Sequence, residues 1–166
     1  ITSNVVVCVN LLDEAKRKKI NINLGELSKQ LGIPVVGTSA RSGKGMDELM
    51  DAVYNLTNGK TVVRPIKIRY DDIIEEAISV LEPYLNVLLE GKLNSRWVAL
   101  KLLDEDETLL NAIQKYLDYD MLTDSDVAEK LNEAKKMLNE AGIEHDLLRD
   151  KIVSRIVYTA EKICNK

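Results

Sequence analysis

The 166-residue chain has no Gly-x-x-x-x-Gly-Lys-[Ser/Thr] stretch, the loop that holds nucleotide phosphates and helps to place magnesium. That absence excludes a complete phosphate-binding site built from these residues. The nearest match, Gly37-Thr38-Ser39-Ala40-Arg41-Ser42-Gly43-Lys44-Gly45, has five residues between its outer glycine and Gly43, and Gly45 where a magnesium-holding hydroxyl would stand. Metal-ligand residues are scarce too. Histidine occurs once, as His145 beside Asp146, and the two cysteines, Cys8 and Cys164, lie too far apart in sequence for ligand spacing. The cysteines read as reduced thiols, buried or incidental, with Cys8 inside an apolar strand. No apolar run approaches the roughly 20 residues that would span a bilayer, and the first residues carry no signal-peptide pattern. Excess positive charge is also missing. The 23 Lys and Arg are interspersed with 27 Asp and Glu for a net charge of −4, so nucleic acid is not an expected partner.

Apolar residues make up 45% of the chain, enough for one domain or two small ones. Residues 4–9 are β-branched and apolar without alternation, as in a strand covered on both faces of a parallel sheet. A polar helix or turn follows from Glu14 to Lys19, then a helix from Leu24 to Leu31 closed by Gly32, and a second strand from Val35 to Gly37. Met46, Leu49, Met50, Val53, Tyr54 and Leu56 recur at helical spacing, with Asn58-Gly59 as the stop. Beyond Tyr70 the period is helical throughout. Ile73, Ile74, Ala77, Ile78, Leu81, Leu85, Leu88 and Leu89 form one stripe around Pro83, ended by Gly91. Further helices are expected from a Ser95 cap through Trp97 to Leu103, around Leu109 to Leu117, from Asp124 or Ser125 to Gly142, and along Leu147, Ile152, Ile156 and Ile163. The expected fold is therefore α/β followed by all-α. Residues 1–62 form a partial parallel-sheet segment resembling a P-loop GTPase without its phosphate loop, and residues 63–166 form a helical-bundle domain.

The apolar strand ends in Asn10-Leu11-Leu12-Asp13, at the carboxyl end where open α/β sheets bind ligands. A carboxylate there can accept from both N1–H and N2–H₂ of guanine, an arrangement adenine does not offer. Asp13 is accordingly the candidate base selector. Asn10 is placed to bridge two base-reading loops, and the second loop is Thr38-Ser39-Ala40, whose Ala40 N–H is expected to face guanine O6. The guanine-binding set is thus Asn10, Leu11, Asp13, Ser39 and Ala40. No catalytic and no metal-binding residue is assigned. Asp71, Asp72, Glu75 and Glu76, and the run from Asp104 to Glu107, read as solvated helix starts favoured by the macrodipole. Trp97 reads as a core residue.

In order, these features resemble the ferrous iron transport protein B family, a bacterial GTPase fused to a membrane permease. Asn10-Leu11-Leu12-Asp13-Glu14-Ala15 is similar to that family's N-[ML]-x-D-E-A, and Thr38-Ser39-Ala40-Arg41-Ser42-Gly43-Lys44-Gly45 to its second guanine motif. Arg96-Trp97-Val98-Ala99-Leu100-Lys101-Leu102-Leu103-Asp104-Glu105-Asp106 resembles the R-W-x-x-x-x-L-L-x-x-D run of its helical regulatory domain. The resemblance implies GTP or GDP as ligand, with Mg²⁺ in the parent protein, and a helical domain that favours the GDP-bound state like a GDP-dissociation inhibitor. It also implies fast GDP release, because Leu11 stands where ordinary small GTPases carry Lys. A location on the cytoplasmic side of the bacterial membrane and a role in Fe(II) uptake follow in the same way.

The chain begins with Ile and enters a strand almost at once, so a piece of a longer protein is expected. The first half of the GTPase domain and the permease would then be its covalent partners, and its sheet edge would be open to self-association. The chain alone is expected not to hydrolyse GTP. Two other readings remain: a helical interaction module that binds no nucleotide, and the tail of another bacterial GTPase. The second is disfavoured because the appended domain is not basic.

Overall fold

The computed structural model describes residues 2–165. Contacts along the chain divide it into two units, Thr2–Lys67 together with the last residues from Thr159, and Ile68–Tyr158.

In the first unit, β1 (Val7–Val9) pairs in parallel with β2 (Val35–Gly37), in the register Val7 to Val35, Cys8 to Val36 and Val9 to Gly37. The strand is shorter than the apolar run that signals it. Of the two readings of Cys8, buried or incidental, the strand supports the second: its side chain is exposed. Successive strand side chains alternate between faces, so Val7 and Val9 are half-buried while Cys8 takes the opposite face, which meets solvent. Two helices connect the strands: α1 (Leu12–Arg17) and α2 (Leu24–Leu31). The Asn23 side chain caps α2 by accepting from the Glu26 N–H at 3.0 Å. Gly32 ends α2 with φ 69°, and a Cβ there would lie 1.9 Å from the Arg64 carbonyl oxygen. That close approach lets Arg64 N–H and Ile66 N–H donate to the carbonyls of Gly32 and Leu31. Helix α3 (Met46–Thr57) follows β2. Its expected apolar stripe is only partly covered. Leu56 is buried, whereas Met50, Val53 and Tyr54 are exposed.

The second unit contains α4 (Asp72–Leu89), α5 (Ser95–Leu103), α6 (Glu107–Leu117), α7 (Ser125–Glu140) and the start of α8 (His145–Cys164). Helix α4 is the hub and packs on both α5 and α7. Ile74, Ile78, Leu81 and Leu85 are fully buried on it, each worth about 1.5–3 kcal/mol relative to exposure. The helix runs through Pro83, and Glu90 (φ 47°) and Gly91 (φ 77°) turn the chain out of it. Asn94 rather than Ser95 caps α5, its Oδ1 accepting from the Trp97 N–H, while Ser95 is buried as the first helical residue. Asp124 caps α7 by accepting from the N–H groups of Asp126 and Val127. On α8 the buried positions are Leu148 and Ile152, and Leu147 and Ile156 are exposed. Trp97 packs half-buried against the core.

The acidic clusters are not simply solvated. Glu75 is held by Arg96, and Asp104 is nearly buried among Lys101, Arg149 and the His145 ring. Among the described residues no group of three His, Cys, Asp or Glu is placed to hold a metal ion.

Candidate functional site

Parallel pairing aligns the carboxyl ends of β1 and β2, so the residues just beyond them, Asn10 to Asp13 and Thr38 to Ala40, form two adjacent loops. Thr38 N–H donates to the Val9 carbonyl at 2.8 Å, and Leu12 N–H donates to the Thr38 carbonyl at 3.1 Å. The loops are thereby stitched by backbone before any side chain acts. Asn10 Oδ1 then accepts from both the Thr38 hydroxyl and the Ala40 N–H, each at 3.1 Å. With both lone pairs used, the amide presents only its N–H₂ donors to a ligand. Asp13 N–H donates to Ser39 Oγ at 3.1 Å. Ser39 is fixed in turn, since its N–H donates to the Lys44 carbonyl at 2.9 Å and its carbonyl accepts from Ser42 Oγ at 3.0 Å. Thr38 and Ser39 are buried, at 1% and 3% exposure, whereas Asn10, Asp13 and Ala40 are exposed.

Four of the five residues singled out from sequence, Asn10, Asp13, Ser39 and Ala40, therefore share one hydrogen-bonded network. Leu11 joins it only through its backbone. It caps α1 in the left-handed conformation (φ 65°), its carbonyl accepts from Glu14 N–H and Ala15 N–H, and it is 56% exposed. The Ala40 N–H, expected to face guanine O6, donates instead to Asn10 Oδ1, because the tight turn into residues 40–42 brings it beneath that amide. Thr38 is the residue that sequence reasoning passed over. Its hydroxyl orients Asn10 and lies 3.2 Å from Cys8 Sγ. The available signal was a small hydroxyl residue just past the end of an apolar strand, where a buried unpaired hydroxyl would be costly.

Among the described residues, neither the Asn10 N–H₂ nor the Asp13 carboxylate has a hydrogen-bond partner. The site thus holds a donor pair and a carboxylate acceptor on a hydrogen-bonded double loop. The residues present do not fit a magnesium ion. Gly45 occupies the hydroxyl position of the phosphate-loop pattern, and at φ 78° a Cβ there would lie 2.2 Å from the Gly37 carbonyl oxygen. The Gly37 to Gly45 stretch is a base-side loop and helix entry.

Comparison with known proteins gives two family matches. Residues 70–166 match the family described as FeoB cytosolic helical domain, and residues 1–53 match ferrous iron transport protein B. A fusion of Fe(2+) transport protein A and Fe(2+) transporter FeoB from Porphyromonas gingivalis is 37% identical over 108 residues, 63% of this chain and 13% of the relative. The Fe(2+) transporter FeoB of Staphylococcus aureus is 25% identical over 138 residues, 82% of this chain and 20% of the relative. The chain thus spans a fifth or less of these relatives. Among solved structures, a variant of NFeoB from S. thermophilus bound to GMPPNP is 25% identical, with a TM-score of 0.76, covering 98% of this chain and 58% of that one. NFeoB from S. thermophilus bound to GDP, AlF4⁻ and K⁺ shares the fold at 24% identity and a TM-score of 0.72, over 98% of this chain and 58% of that one. The two family matches, the longer of which covers more than half of the chain, make this chain a member of the ferrous iron transport protein B family.

Proposed function

We propose that this chain carries the guanine-reading loops of a GTPase domain (residues 1–62) and a helical regulatory domain (63–166), acting within a ferrous iron transporter on the cytoplasmic side of a bacterial membrane. The observation that carries the nucleotide reading is the saturated Asn10 Oδ1. It leaves a fixed donor pair beside the Asp13 carboxylate, and guanine offers acceptors at N7 and O6 together with donors at N1 and N2. Adenine presents an acceptor at N1 where Asp13 requires a donor. In this reading Leu11, exposed and lacking a cation, holds the base less firmly than a lysine stem would, which favours rapid release.

The phosphates and Mg²⁺ would be held by other residues of the parent protein, and the helical domain would relay nucleotide state to the permease and so to Fe(II) uptake. Open backbone groups along β1 give the sheet an edge for strand addition, from the parent GTPase domain or from a second copy. The test is titration of the chain with fluorescent GDP, ADP and XDP analogues. Weak binding of GDP in preference to ADP is expected, and equal affinity for the two would end the guanine reading and leave a helical interaction module.

A further inference from the structure

Residues 16–19 read Lys-Arg-Lys-Lys, and all four side chains are exposed. Among the described residues Lys16, Lys18 and Lys19 have no ion-pair partner, and Arg17 reaches only Glu14, across an exposed surface. Ile20 and Ile22 follow, 55% and 37% exposed. A six-residue helix favours one or two cations at its carboxyl end through its dipole, but four in succession with two uncovered isoleucines exceed that need.

The turn that presents them is built. Lys19 N–H donates to the Lys16 carbonyl and Ile20 N–H to the Ala15 carbonyl, the paired bonds of a Schellman motif. Glycine usually occupies its left-handed position, yet Lys19 sits there at φ 57°. The residue after it usually folds back onto the helix, yet Ile20 stays mostly exposed. Both departures add a cation and an apolar side chain to one surface. Charge is also distributed unevenly along the chain. Residues 2–67 hold ten Lys and Arg against six Asp and Glu, so the excess of acid lies beyond them.

We infer that residues 16–22 form a docking surface for an anionic lipid bilayer, the cations meeting the headgroups and Ile20 and Ile22 entering the interface. Clustered lysines are attracted to anionic leaflets, and neighbouring aliphatic side chains gain by entering the headgroup boundary. Nucleic acid would call for aromatic side chains on which bases stack, and residues 16–22 contain none. The surface is chemically independent of the base-reading loops, so it stands whether or not guanine binds.

The test is co-sedimentation of the full chain with vesicles of phosphatidylcholine alone and with about a third phosphatidylglycerol. Binding to the anionic vesicles only, lost on raising NaCl from roughly 0.05 to 0.5 M, is expected. Lys16→Gln, Lys18→Gln and Lys19→Gln together should lower the partition coefficient by roughly 100-fold. The same three positions changed to Arg should retain it, as should neutralising Lys92, Lys115 and Lys136 in the helical unit. Ile20→Ser with Ile22→Ser should lower it roughly tenfold or more. Circular dichroism identical to that of the parent chain confirms that each variant is folded. Equal binding to neutral vesicles, no binding at low salt, an undiminished triple variant, or binding to duplex RNA in place of vesicles would overturn the inference.

Discussion

Arg96 and Glu75 meet in a two-pronged ion pair, Nη1 and Nη2 of the guanidinium each donating to one carboxylate oxygen at 2.7 Å, with side chains 23% and 22% exposed. The same carboxylate accepts from the Tyr70 N–H at 2.6 Å, and the same guanidinium donates to the Ile68 carbonyl at 3.0 Å. The pair thus fastens the approach to α4 onto α5, and no buried side-chain polar atom among the described residues lacks a partner.

Breaking this pair should be expensive. Arg96→Ala leaves a partly buried carboxylate without its partner and is expected to cost about 2–4 kcal/mol in urea denaturation. Arg96→Lys should recover less than half of that, because an ammonium cannot form the fork. The Arg96 hydrogen bonds hold the Glu75 pKa below its ordinary value. Its contribution is therefore present above the unfolded carboxylate pKa and lost as pH falls through the lower folded value. Stability measured from pH 6 to pH 3 should fall less steeply in Glu75→Gln than in the parent chain.

His145 should act in the opposite sense. Its Nε2–H donates to the Asp104 carbonyl at 2.9 Å, the main reason its pKa is raised, with the Asp146 carboxylate adding to it. A raised folded pKa gives stability that is fully present below the unfolded value near 6.5 and lost as pH rises through the folded one. The effect is modest because the ring is 39% exposed. Urea midpoints should decline slightly from pH 6 to pH 8.5, and His145→Gln should flatten that decline.

Gly45→Ser would complete a Gly-Lys-Ser sequence that begins at Gly43. It is nevertheless expected to destabilise the chain by about 1–3 kcal/mol, since residue 45 is left-handed and its new Cβ would strike the Gly37 carbonyl. Thermal denaturation with and without Mg²⁺ and GTP should show the loss and no rescue by ligand.

Asp13→Asn tests the base-reading carboxylate in the intact parent protein. An amide donor opposite guanine N2–H₂ leaves a donor facing a donor, whereas xanthine offers a carbonyl there. Preference should shift toward xanthine nucleotides by on the order of a few kcal/mol in a competition assay. If Asp13 merely begins α1, Asn substitutes with little change in either affinity.

Periodicity and punctuation alone located both described strands and the α-helices from α2 to α8, with α1 left open between helix and turn, because Gly32, Asn58-Gly59 and Gly142 stop helices for local steric reasons that need no tertiary contact. The pairing of Asn-x-x-Asp with Thr-Ser-Ala likewise marked Asn10, Asp13, Ser39 and Ala40 before any geometry was known. Choices between equivalent local options required the fold. Asn94 and Ser95 are both competent caps, and burial of Ser95 decided between them. Leu147 and Leu148 fit the same helical spacing, and the direction of α8 against the core buried only Leu148. Glu75 and Asp104 read as solvent-facing acids until residues 21 and 45 positions away supplied their cations. The Asn10 amide became a pure donor only when Thr38 and Ala40, 28 and 30 residues on, filled its oxygen. Local backbone preference is written into neighbouring residues, whereas the satisfaction of a buried charge or amide depends on partners that only the folded chain brings within about 3 Å.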